Sequence, residues 1–135
     1  MSNTKATGVA YLDPEFSTVY ATEEIGYAPA AQGAVTQLTS KATAVTLNNS
    51  AGRITMNNAS LNTATNATFV LNNSTISAND AVILTISGGQ ATPGSYNVFA
   101  NALSAGQVSI TLRNISGGSL SEAVVINYAI IHCAS

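Results

Sequence analysis

Few residues of this chain are equipped for chemistry. A single histidine, His132, stands beside the single cysteine, Cys133. Neighbouring residues of a strand point to opposite faces, so imidazole and thiol do not meet within one chain. A zinc site needs three or four ligands, which this pair does not supply. A lone cysteine forms no internal disulfide, so packing alone holds the fold. The acids are Asp13, Glu15, Glu23, Glu24, Asp80 and Glu122. They do not follow the spacing of a calcium loop, and no Gly-rich phosphate loop opens a helix. Carboxylates that cleave glycosides need a fixed separation across a cleft, and nothing in the spacing sets one. Asp80 reads as a turn residue ahead of a strand. Glu122 reads as an ion-pair partner for Arg113 or Arg53. No catalytic, metal-binding or cofactor-binding residue follows from this survey, and the expectation is a protein that is not an enzyme.

The charge content points elsewhere. Charged residues make up 7% of the chain, against roughly 25% in ordinary soluble domains. Ala, Thr, Ser and Asn supply about half of it. A surface of Thr, Ser and Asn is polar without being charged, and can be desolvated against another protein without burying ions. Such a composition suits a chain packed against others. The net charge is −2 with no Lys/Arg cluster, so nucleic acid is not an expected partner. No apolar run reaches the length of a membrane span. Residues 1–10 lack the basic start and apolar core of a secretory signal, and synthesis in a cytoplasm is expected. The Asn-x-Ser/Thr sequons are those that the composition produces, and no glycan is assigned to them.

Two regions must position these residues. Residues 1–33 hold four of the six acids and three of the five tyrosines. The apolar residues there, among them Tyr11, Phe16, Tyr20, Ile25 and Tyr27, keep neither a period of two nor one of 3.6. The segment reads as an extended arm, closed by a loop or hinge over 27–33. It is too rich in aromatic and aliphatic side chains for a free linker. The five residues named are the expected contacts with a partner, since aromatic anchors dominate interface energies. Packing of the arm on its own domain is the alternative.

Residues 34–135 read as a β domain. Short apolar runs at 35–38, 44–47, 53–56, 68–71, 80–86, 96–100, 107–113 and 123–131 alternate with Asn-, Gly- and Ser-rich turns. In the seventh run Val108, Ile110 and Leu112 share one face, and Ser109, Thr111 and Arg113 the other. The fifth and eighth are apolar on both faces, as in strands that sit centrally or bury an outer face in an interface. About eight short antiparallel strands predict an all-β, jelly-roll-like β-sandwich. No internal repeat supports a solenoid. Arg53 and Arg113 are candidates for inter-subunit contact, because Arg is enriched at interfaces, with exposed surface ion pairs as the plainer reading.

Several stretches resemble one family. Val35-Thr36-Gln37-Leu38-Thr39-Ser40-Lys41, Val45-Thr46-Leu47-Asn48, Gly52-Arg53-Ile54-Thr55-Met56, Phe69-Val70-Leu71-Asn72 and 113–123 look like a domain of tailed-bacteriophage virion proteins. The resemblance covers about residues 33 to 131. It implies a jelly-roll-like structural domain of the virion that oligomerises, with a homotrimer favoured and a dimer as the alternative. Similar domains serve as capsid cement (decoration) proteins on the outer capsid surface, bound to the major capsid protein, or stand at the ends of fibres. The short leading segment favours cement, since a fibre needs a long shaft. The alternative is a fibre-tip or receptor-binding module that recognises a host-surface glycan through exposed aromatics, Tyr96 and Phe99. The family has no catalytic residues to carry over.

Overall fold

The fold is described from a computed structural model, over residues 16–133. Eight strands build it: β1 (Gln32–Thr36), β2 (Val45–Thr46), β3 (Ala51–Thr55), β4 (Asn66–Asn72), β5 (Ala81–Gly88), β6 (Tyr96–Ser104), β7 (Gln107–Asn114) and β8 (Val125–Ile131). A 3-10 turn at Pro29–Ala31 leads into β1. They form two four-stranded sheets, β1-β3-β8-β5 and β2-β4-β7-β6, a β-sandwich as the eight apolar runs predict. β1 opens at Gln32, so the arm-to-body boundary expected at 33/34 falls inside the first strand. No helix among the described residues is long and apolar enough to cross a membrane.

Alternation places the core. Ile54, Leu71, Val108, Ile110, Leu112 and Ile126 lose all contact with solvent between the sheets, packed around Phe69 and Met56. At roughly 1.5–3 kcal/mol for each fully buried side chain, this layer is the main source of stability. Outward positions carry mostly Thr, Ser, Asn, Gln and Ala, with Ile83, Phe99 and Ile131 exposed among them, and one arginine on each sheet: Arg53 on β3 and Arg113 on β7. Thr111 faces outward but is buried. The register of β6 against β7 shifts between Ala100 and Ala102, and Asn101 there lies within hydrogen-bonding distance of the Thr111 hydroxyl.

One expectation needs correction. The ladders β1–β3 and β2–β4 are parallel, while the other four are antiparallel. The chain passes from one sheet to the other at each of the first three connections, so β3 lies beside β1 and β4 beside β2, running the same way. The sandwich stands as expected, and the pairing of all eight strands as antiparallel neighbours does not. Of the two strands that are apolar on both faces, β8 holds an interior place, whereas β5 is an edge whose outward Ile83 is 49% exposed, the position from which an outer face could be buried in an interface.

Candidate functional site

One end of the sandwich gathers the connection between β2 and β3, the turn before β5 and the segment after β8. Antiparallel register sets Ala81 opposite Ile131, so the next pair outward is Asp80 and His132. Ser50 precedes β3 and accepts the Ile130 N–H through its carbonyl at 2.9 Å. All three residues occupy positions in phase with the inward faces of their strands, at the rim of the core.

Asp80 closes a tight turn. Its carboxylate accepts the Ser77 N–H at 2.8 Å and the Ser77 hydroxyl at 2.7 Å. It also accepts the Cys133 N–H at 2.9 Å and His132 Nδ1 at 3.0 Å. The backbone N–H groups of Ser77 and then Cys133 hold this carboxyl far below the usual carboxylate range, outweighing the opposing effect of burial. An ionised carboxylate only accepts, so Nδ1 of His132 carries a proton, and in the neutral imidazole Nε2 presents a lone pair. That lone pair faces the Ser50 hydroxyl at 3.2 Å. Asp80 is sealed from solvent while the His132 side chain is 43% exposed. The neighbouring loop is fixed from inside: the Tyr128 hydroxyl and the Asn73 amide both donate to the Asn49 carbonyl, at 2.9 and 2.7 Å. Serine, imidazole and carboxylate therefore stand in the relation of nucleophile, base and orienting group.

The arm behaves differently. Residues 16–28 form no strand or helix, and Phe16 (68%), Val19 (62%), Tyr20 (89%) and Ile25 (85%) stand exposed. Packing of this stretch on its own domain is thus not what the fold adopts. Tyr27 is the exception: its ring is half-buried, and its hydroxyl donates to the Ile130 carbonyl next to the Ser50 loop. The Gln32 side chain donates to the Tyr27 carbonyl at 2.9 Å. Tyr11 lies outside the described residues.

The other candidates separate. Arg53 lies on the outer face of one sheet, opposite Asn127 and Ala34 in register, beside a shallow depression of about 370 Å3. Arg113 lies on the other sheet and donates to Asn66 Oδ1 at 3.1 Å. Neither meets Glu122, whose carboxylate accepts the Ala91 N–H at 2.7 Å. Lys41 lies beside Glu122: it is buried, and its ammonium donates to the Asn57 and Glu122 backbone carbonyls. Burial lowers the Lys41 pKa, and the Glu122 charge acts against that. Tyr96 and Phe99 form no exposed aromatic cluster. Residues three apart on a strand face opposite ways, so Tyr96 is buried at 5% while Phe99 is 42% exposed.

Ser50, His132 and Asp80 form a candidate arrangement that the sequence pattern does not reveal. His132 was excluded through its neighbour Cys133, whereas its partners come from two other connections. Only the strand register could have joined them. No family model, curated protein or solved structure matches this chain.

Proposed function

We propose that this chain is a structural subunit of a bacteriophage virion: a cement protein on the outer capsid surface, bound to the major capsid protein and to further copies of itself as a homotrimer. The observation that carries the reading is the arm. Phe16, Val19, Tyr20 and Ile25 stand in water along one segment without strand or helix, and apolar side chains so placed gain free energy when another molecule covers them. The body agrees in character. Each outer sheet face bears a single charge, an arginine, among uncharged side chains, several of them apolar, that desolvate without burying ions. The resemblance of residues 33–131 to virion domains supplies the class of partner. Many copies, each held modestly, would stabilise a shell by summed contacts.

Deletion of residues 1–26, which keeps Tyr27, tests this. The expected product is folded by circular dichroism and absent from purified shells imaged by cryo-electron microscopy, while the full chain decorates them. A truncated protein that occupies shells as the full chain does overturns the reading. A second reading rests on Phe99, an exposed ring on a sheet face rich in Asn and Thr, the side chains that stack on and hydrogen-bond to sugars. Retention of the protein on a glycan array would favour that fibre-tip role over cement.

A further inference from the structure

The end of the sandwich that bears His132 goes beyond an assembly role. We propose that Ser50 is an acylatable nucleophile with His132 as its general base, and that its substrates are small carboxylic esters with good leaving groups. The geometry carries this. Ser50 Oγ lies 3.2 Å from His132 Nε2, and His132 Nδ1 lies 3.0 Å from Asp80. A buried acceptor-only carboxylate fixes the ring and its tautomer, which leaves the base nitrogen aimed at the hydroxyl. The loop bearing Ser50 is tied to the core through Asn49, so the hydroxyl is presented from a fixed backbone. The imidazole is partly open to solvent, so a small ester reaches the pair without any opening motion.

The chemistry balances with water alone. Ser50 Oγ bonds to the ester carbonyl carbon as its proton passes to His132 Nε2. The carbon–oxygen bond to the leaving group breaks, and the departing alkoxide takes that proton away as an alcohol. A water molecule then attacks the acyl-serine by the same route. It releases the carboxylic acid and restores the serine hydroxyl.

The test uses the full chain with a fluorophosphonate probe, which forms a serine–phosphorus bond and expels fluoride. Mass spectrometry locates the adduct. The expected result is an adduct on Ser50 in preference to the exposed Ser74 and Ser87, and none at that position in Ser50→Ala. His132→Gln should slow labelling about 100-fold or more, the usual worth of a general base. The comparison among serines within the unmodified protein needs no variant, so it stands even if His132→Gln folds poorly. Labelling of Ser50 no faster than Ser74 and Ser87, adduct formation on Cys133 in its place, or an unchanged rate in a folded His132→Gln protein overturns the proposal. Shell binding is a separate readout, so failure here leaves the cement reading to its own test.

Discussion

At Gly89 the backbone turns with φ at +82°, and a β-carbon there would lie 2.0 Å from the Ala123 carbonyl oxygen. Two costs coincide in any substitution: a left-handed backbone and a collision with main chain rather than with a movable side chain. Gly89→Ala is therefore expected to lower stability by about 2 kcal/mol or more, read as a shift in the urea midpoint at unchanged slope. The Ser87-Gly88-Gly89 run was legible as turn chemistry, because Gly supplies such angles. The collision was not, since Ala123 arrives from another connection. The asparagines show the same limit. As turn residues Asn73 and Asn114 are what the pattern predicts, yet they are 1% and 0% exposed. Asn114 donates to the Leu61 and Gly118 carbonyls while its oxygen accepts from Ser116. Burial of a short amide whose every hydrogen bond is met leaves no mark on the local sequence. Ser50, His132 and Asp80 belong to this class too: each is unremarkable alone and acquires a role only through its partners.

Strands were more legible than their neighbours. Each of the eight apolar runs became a strand, because period-two alternation is a property of the segment itself. Pairing is a property of two segments, and alternation says which side chains share a face, not which strand lies alongside. The parallel ladders follow from the chain crossing between sheets at each early connection. They leave a trace in composition only after the fact. Gly33 and Gly52 sit side by side in register, and the Leu47 side chain lies where either would carry a β-carbon, 2.7 Å away. Small residues in two neighbouring strands let one connection fold over the sheet. The two coils differ in length, since Gln32 pairs with Ala51 but Val45 with Leu71. A fixed repeat was accordingly not there to find.

For the molecule as a whole, the buried ionisable groups set limits on stability at both ends of the pH scale. The depressed Asp80 pKa means that the unfolded chain binds a proton more readily than the folded one in acid. Its contribution is complete above the unfolded carboxylate value near about 4 and is lost as pH falls through that value and below. At the alkaline end burial pushes the Tyr128 hydroxyl up to about 12, with the Asn73 hydrogen bond acting against it, and burial raises Tyr96 as well, with Glu122 adding to the effect. Unfolded tyrosine ionises near about pH 10, so stability should decline as pH rises past that value. Thermal melts across pH are expected to fall off at both ends, and Asp80→Asn should flatten the acid limb while lowering the neutral melting temperature. A melting temperature that holds constant down to pH 2 would contradict the Asp80 argument.

The order of strands within the sheets also governs how the protein comes into being. β8 lies between β3 and β5, and β7 between β4 and β6. On the ribosome these two strands are the last of the eight to be made, yet they are the middle of each sheet. Until they emerge, β3 and β4 have only their short parallel neighbours, and β5 and β6 have no strand beside them in their own sheets. The nascent chain must therefore wait, arm and all, and fold in one late step. A gene truncated ahead of β8 should leave no smaller sandwich behind but an unfolded chain, open to proteolysis.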